Sequence, residues 1–151
     1  MADNLNALED WAGALLAKLQ PAERRQLNQR VARELRRSQQ QRIARQRNPD
    51  GTAYAPRKTS KGLRSKKGRI RRKMFAKLRT AKFLKMQSTA NSIAIGFLGR
   101  AARLARIHQY GLRDRPGKGM PDVRYERREQ LGFTPAELDS IRDQLLAHLV
   151  P

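Results

Sequence analysis

The sequence contains few side chains suited to acid–base or metal chemistry, and they form no recognisable catalytic pattern. Cysteine is absent and His108 and His148 are the only histidines, which excludes thiol nucleophiles, Cys-ligated zinc and His-rich metal sites. A general base needs a positioned substrate or partner group, and His108 stands alone in its segment. We therefore expect a packed or hydrogen-bonded histidine, and a small enzyme is an interpretation that rests on His108 alone.

Three carboxylates between residues 122 and 129 come closest to a metal-binding cluster. They alternate with three arginines, so ordinary ion pairing is the expected role of Asp122, Glu126 and Glu129. The chain also lacks a phosphate-binding glycine loop, a nucleophile elbow and a His-Glu-x-x-His zinc motif. We therefore predict a protein with no enzymatic activity, cofactor or metal.

Positive charge is the dominant chemical feature. The 151 residues contain 34 Lys and Arg against 13 Asp and Glu, a net charge of +21. Residues 51–113, called the basic segment below, carry eighteen of these cations and no carboxylate. Such a segment either repels itself in water or faces a polyanion. The candidate binding cations are Lys61, Arg64, Lys66, Lys67, Arg69, Arg71, Arg72, Lys73, Lys77 and Arg79.

The composition of the basic segment limits what it can recognise. Its density of cations suits phosphates, with strongly salt-dependent affinity. Only Phe75 and Phe83 lie near the cations between Lys61 and Lys85, so base stacking is not expected. Without helix-turn-helix or zinc-finger spacing, sequence-specific readout is not expected either. Two functions remain, non-specific contact with nucleic acid or docking on an acidic protein surface, and a tail that only maintains solubility is the simpler alternative.

The hydrophobic pattern predicts an α+β fold in a single domain, residues 1–151. A small, mostly antiparallel sheet of three or four strands is expected between N-terminal helices and a C-terminal amphipathic helix. The first helix, 4–19, has an apolar stripe at helical spacing. Its members are Leu5, Leu8, Trp11, Ala12, Leu15, Leu16 and Leu19. The second begins at Pro21 and ends before Asn48, with a narrow apolar face that suggests half-exposure or packing on a neighbouring subunit.

The central and C-terminal elements follow from local signals. A turn is expected at 49–51, a flexible basic loop at 57–73, and a short helix from Met74. Strands are expected at 83–86, 93–97 and 123–125. A further helix, 101–109, should stop at Gly111. The capping box at 134–137 begins the last helix.

Several motifs, taken in order, resemble those of one protein family. They are SQQQRI at 38–43, NPDGTAYAPRK at 48–58, RSKKGRI at 64–70 followed by MFAKLR at 74–79, ARIHQYGLRDR at 105–115, and LGFT at 131–134. Together they resemble the phage virion morphogenesis family, the tail completion proteins of temperate contractile-tailed phages. The resemblance covers nearly the whole chain. The chain departs from it at 127–130, Arg-Arg-Glu-Gln, where an Arg-Pro or similar apolar pair would be expected.

The resemblance implies a structural role in the virion, at the tail and neck, with assembly in the host cytoplasm. It implies a homo-oligomeric ring, expected to be a hexamer, at the head-proximal end of the tail, where it finishes the tail and joins it to the DNA-filled head. The implied partners are the tail tube or tail terminator protein, the head–tail connector, and genomic DNA in the channel, with no membrane. The rival interpretation is a free, non-specific nucleic-acid-binding protein.

Overall fold

A computed structural model of the chain describes residues 2–57 and 73–150 and confirms the α+β class. The elements are α1 (Ala2–Lys18), α2 (Pro21–Ala44), β1 (Leu84–Ser88), β2 (Ile93–Phe97), α3 (Arg100–Tyr110), β3 (Arg113–Asp114), β4 (Val123–Arg124) and α4 (Pro135–Leu149). They belong to two compact units. The first unit contains α1, α2 up to Arg36, residues 86–95 and α4, and the second contains residues 37–85 and 96–133. Within the described ranges, no helix has the length and apolar character needed to cross a bilayer.

The four strands form two separate pairs, whereas a single sheet was expected. β1 pairs with β2 across the short connection 89–92, and β3 pairs antiparallel with β4, with Arg113 opposite Arg124. β3 and β4 are only two residues long. Pro116 closely follows β3, and Pro121 closely precedes β4. Neither proline has a backbone N–H, which limits further pairing of these strands.

The core of the first unit comes from one face of α2. Leu27, Val31, Ala32 and Leu35 are all buried, so the narrow apolar face predicted for this helix packs within the chain. Other α2 side chains hold the turn of the β1–β2 hairpin, because Asn28 Nδ2 donates to the Thr89 carbonyl at 2.8 Å.

His148 links three helices of the first unit and is itself buried. The guanidinium of Arg30 in α2 lies 3.2 Å from Nδ1, and Nε2 lies 3.0 Å from the carbonyl of Lys18 at the end of α1. An arginine can only donate, so Nδ1 accepts and Nε2 carries the proton that is donated to Lys18. The His148 ring therefore satisfies a carbonyl left open at the C-terminus of α1.

The core of the second unit is assembled from residues far apart in the chain. Its buried members are Ile43, Tyr54, Met74, Leu78, Leu84, Ala101, Ala105 and Ile107.

The turn predicted at 49–51 in this unit is confirmed. Asp50 Oδ1 accepts from the Thr52 backbone N–H at 2.9 Å, and Gly51 has a φ of +88°. Hydrogen bonds from Thr52 lower the pKa of the Asp50 carboxyl.

The short helix expected from Met74 does not form, and residues 74–79 are a series of turns. Phe75 has a φ of +63°, which a right-handed helix cannot accommodate. The helix expected at 101–109 is confirmed as α3, and the capping box of α4 is confirmed in both directions between Thr134 and Glu137.

Gly111 ends α3 in the left-handed conformation, as predicted, with φ +63°. A Cβ at this position would lie 3.1 Å from the Arg127 backbone nitrogen and 3.2 Å from the Tyr125 carbonyl oxygen. We therefore expect Gly111→Ala to lower the free energy of unfolding by about 1–3 kcal/mol in urea denaturation.

Gly13→Ala is the matched control for this substitution. Gly13 lies inside α1, and a Cβ there would have no atom within 4 Å. Alanine is the better helix former, so this variant should gain up to about 1 kcal/mol. Equal effects of the two substitutions would contradict the assignment of Gly111 as a conformational stop.

Candidate partner-binding site

The extended segment 128–132 is held by side chains from three other parts of the second unit. Gln109 in α3 makes the first set of bonds. Its Oε1 accepts the backbone N–H groups of Gln130 and Leu131 at 2.9 and 3.0 Å, and its Nε2 donates to the Leu131 carbonyl at 2.8 Å. One amide side chain thus replaces a strand partner for two consecutive residues.

A second set of bonds comes from the end of α2. The buried Arg42 guanidinium donates to the carbonyls of Glu129, Gln130 and Gly132 at 3.4, 3.2 and 3.3 Å. Gln39, one turn earlier, donates to the Gly132 carbonyl at 2.5 Å and accepts from Arg42. These charge-assisted bonds fix segment 128–132 against α2.

A third set of bonds comes from residues 48–56. Asn48 accepts the Glu129 backbone N–H, and the Tyr54 hydroxyl donates to the Glu129 carbonyl, both at 2.9 Å. Burial raises the pKa of the Tyr54 hydroxyl to about 12, so it stays protonated and remains a donor. In return, the buried Arg128 guanidinium donates to the carbonyls of Ala55 and Pro56 at 2.8 and 2.9 Å.

The position of Met74 is fixed by Gln46, which lies just after the end of α2. Gln46 has a φ of +57°, and the backbone N–H of Arg47 donates to the Arg42 carbonyl. This residue in the left-handed conformation closes the C-terminal end of α2. The Gln46 side chain accepts the Met74 N–H at 2.7 Å and donates to the Met74 carbonyl at 2.9 Å. Residues 74–78 are thereby anchored next to α3.

These anchors shape a cleft of about 860 Å³ within the second unit, a size typical of ligand pockets. Its apolar lining includes Met74, Phe75, Leu78, Leu104, Val123 and Tyr125. Arg57, Lys73, Lys77 and Arg124 lie on its wall as exposed cations, beside the buried Arg128 and a single carboxylate, Glu126. The cleft therefore combines an apolar lining with a predominantly positive rim.

An aromatic row runs through this region. The rings of Tyr54 and Phe75 meet edge to face at 5.7 Å, Phe75 meets His108 at 5.0 Å, and His108 meets Tyr125 at 5.0 Å. Such edge-to-face pairs are favourable beyond the area they bury. His108 is a packing residue in this row, and its Nδ1 is buried without a hydrogen-bond partner among the described residues.

The surroundings of His108 favour its neutral form. Burial, together with the positive charges of Arg128 and Arg57, lowers the pKa of the imidazole to about 4. In the unfolded chain the same group titrates near 6.5. Between these two values the unfolded state binds more protons than the folded state, so the free energy of unfolding falls as the pH falls.

We therefore expect His108→Phe to remove part of the acid sensitivity of the protein. In urea denaturation at about pH 7 and about pH 5, the wild type should lose stability at the lower pH more steeply than the variant. The phenylalanine preserves the aromatic row but cannot take up a proton. An unchanged pH dependence in His108→Phe would contradict the role given to this imidazole.

Two of the three carboxylates at 122–129 form ion pairs, as predicted. Asp122 pairs with Arg115 at 3.4 Å, and Glu129 pairs with Arg127. The Asp122–Arg115 pair is exposed on both sides and contributes little to stability, whereas Glu129 in the other pair is partly buried.

The comparison with known proteins agrees with the motifs. The model of the phage virion morphogenesis family matches residues 3–150. The chain belongs to this family. It is also 40% identical over 142 residues to tail completion protein S of Escherichia phage P2, covering 93% of this chain and 94% of that protein. No solved structure matches the chain.

Several residues of the motifs that suggested the family belong to the anchoring network. Gln39 and Arg42 belong to the first motif, Asn48 and Tyr54 to the second, and Gln109 to the fourth. Gly132, in the last motif, backs onto Pro49, since a Cβ there would lie 2.5 Å from the Pro49 Cγ. These motif residues thus help to build the scaffold of the cleft.

The departure from the family pattern at 127–130 is accommodated without disruption. Arg128 stands in the region where an apolar pair was expected, and it is 5% exposed. Its guanidinium bonds to two carbonyls, which compensates for burial of the charge, although burial still lowers its pKa.

Three of the ten predicted binding cations lie in the described part of the chain. Lys73 and Lys77 line the cleft. Arg79 does not line it, and its carbonyl accepts a bond from Gln40 at 2.7 Å. The other seven lie outside the described residues, namely Lys61, Arg64, Lys66, Lys67, Arg69, Arg71 and Arg72.

The sequence patterns did not indicate the other cations that line the cleft. Arg57, Arg124 and Arg128 come from separate elements, and no local pattern joins them to Lys73 and Lys77. The only signal for them was in the motifs, because Arg57 lies near the end of the second motif, which also contains residues that anchor segment 128–132.

Proposed function

We propose that this protein is a structural tail completion protein of a phage virion, acting at the tail. The observation that carries the proposal is the 40% identity to tail completion protein S across 93% of this chain. The role needs contact with other tail or head components and no catalysis. His108 is packed between Phe75 and Tyr125, which supports a packing role over a catalytic one.

The finer form of the proposal is a homo-oligomeric ring, a hexamer, at the head-proximal end of the tail. There the ring finishes the tail tube or bridges its terminator to the head–tail connector. Contacts within a closed ring are head-to-tail, with two different surfaces on each subunit. The chain offers two such surfaces, the exposed apolar residues of α1 and the cationic cleft of the second unit.

The basic segment acts as a polyanion contact in this proposal. With eighteen cations and no carboxylate, it faces either DNA in the channel or an acidic surface of the tube or connector. Lys73 and Lys77 extend this charge onto the described cleft. Non-specific backbone contact suits a channel through which a genome of any sequence passes.

Complementation tests the proposal. Tails made by a phage that lacks this gene should not join filled heads, and adding the purified protein should restore infectious particles. A rise in titre that depends on the added protein is the expected result. Tails that join heads equally well without it would overturn the proposal.

The rival function, a free nucleic-acid-binding protein, makes a different prediction. It expects tight, steeply salt-dependent binding to DNA or RNA without any tail, and absence of the protein from mature particles. Tail-independent binding together with absence from mature particles would favour this rival function and overturn the tail proposal.

A further inference from the structure

Much of the apolar face of α1 remains exposed in the described chain, although Ala12 and Leu15 are half-buried and α1 contacts α4. Leu5, Leu8, Trp11 and Leu16 are 53–63% exposed, and no described side chain of α1 belongs to the buried core. Helices in proteins gain most of their stability by packing an apolar face, and α1 packs only part of its face within the described chain. The exposed part of the predicted apolar stripe is therefore available to a partner.

The charge of α1 differs from that of the rest of the chain. The helix carries Asp3, Glu9 and Asp10 against Lys18 alone, in a protein of net charge +21. Glu9 and Asp10 are exposed, and the described residues place no salt bridge on either. Glu9 follows Leu5 by four residues and precedes Leu16 by seven, so it lies along the apolar face.

The cleft of the second unit has the complementary character. Leu104 is 46% exposed on its apolar wall, and Lys77 and Arg124 are among the exposed cations around it. An acidic helix with apolar anchors three and four residues apart is a typical ligand for such a groove. Trp11 and Leu8 have that spacing, and a tryptophan in a desolvated pocket commonly dominates binding.

We propose that α1 of one copy docks into the cationic cleft of the next copy, with Leu8 and Trp11 as apolar anchors and Glu9 facing the rim cations. The inference rests on the ring form of the proposed function, for which it names the subunit contact. The two surfaces lie on different units of the chain, so the contact is heterologous. Every dimer therefore keeps one unoccupied α1 face and one unoccupied cleft. Repetition of the contact continues until the ring closes.

Two variants, each with one blocked surface, test this contact. Leu8→Lys with Trp11→Lys places cations on the α1 face, and Lys77→Glu with Leu104→Glu places anions in the cleft. All four side chains are exposed, so both variants should fold, as judged by circular dichroism and thermal unfolding. The control is Leu98→Lys, since Leu98 is 69% exposed and does not line the cleft.

Sedimentation analysis distinguishes the outcomes. Wild type and the Leu98→Lys control should form closed oligomers, and each blocked variant alone should be monomeric, with self-association weakened at least about thirtyfold. An equimolar mixture of the two blocked variants should form dimers and nothing larger, because only one productive pair of surfaces remains. A monomeric wild type, a blocked variant that still assembles, or a mixture that stays monomeric would each overturn the inference.

The same variants separate this inference from the tail function. If the blocked variants complete tails as well as wild type does, the contact is wrong while the function stands. If wild type itself fails to complete tails, the function is wrong whatever the oligomers show.

Discussion

Replacing Arg42 by leucine is expected to lower the free energy of unfolding by about 3–5 kcal/mol. The Arg42 guanidinium is 7% exposed and donates to three main-chain carbonyls of segment 128–132. Leucine fills part of the space but leaves the buried Gln130 carbonyl without its charged donor. The carbonyls of Glu129 and Gly132 keep only the neutral donors Tyr54 and Gln39. A buried polar group that loses its partner costs more than the net value of the bond that was present.

Arg37→Leu is the control for this prediction. Arg37 is exposed on the same helix, fewer than two turns before Arg42. Its replacement should change stability by no more than about 0.5 kcal/mol. Urea denaturation of both variants measures the difference, and a loss below about 1 kcal/mol for Arg42→Leu would contradict the anchoring role.

Reversing four cations of the basic segment should abolish most tail completion while leaving the protein folded. The substitutions are Lys66, Lys67, Arg71 and Arg72 to Glu, none of which alters a described core residue. The net charge falls from +21 to +13, and the reversed segment repels whichever polyanion it faces. We expect the yield of infectious particles in the complementation assay to drop roughly a hundredfold.

A second set of reversals separates the position of the charge from its amount. Arg25, Arg33, Arg37 and Arg45 are exposed and outside the basic segment, and changing all four to Glu gives the same net charge. This control should retain near-normal yield. Equal losses in both variants would mean that total charge matters, and normal yield in the first would remove the role of the basic segment.

Local features of the fold were readable from the sequence because short-range physics determines them. The capping box at Thr134, the helix stop at Gly111 and the turn at Asp50 each involve residues within a few positions of one another. β2 also has the predicted bounds, since its alternating apolar residues are flanked by turn signals.

The sequence did not show which residues each of these patterns contacts in the folded protein. The stripe of α1 satisfies helical periodicity, but periodicity does not reveal whether a face meets the chain's own core or another copy. Met74 begins a plausible helix, yet its hydrogen bonds to Gln46, 28 positions away, belong to a different arrangement. Phe75 then takes a positive φ that no local signal predicts.

The candidate site illustrates the same limit at longer range. Lys73 and Lys77 were predicted from charge density, which is a local property. Arg128 reaches Ala55 across 73 positions of sequence, and only tertiary packing brings these groups to one cleft. Glutamine and arginine side chains that satisfy backbone groups, such as Gln109, resemble ordinary surface residues until the segment they hold is known.

A cryo-EM reconstruction of the neck in intact particles tests the central claim most directly. We predict density for a six-fold ring of this chain at the head-proximal end of the tail, with α1 of each subunit seated against the cleft of its neighbour. The same map would show whether the basic segment faces DNA or protein. Absence of the chain from the particle would contradict the structural role and favour a free nucleic-acid-binding protein.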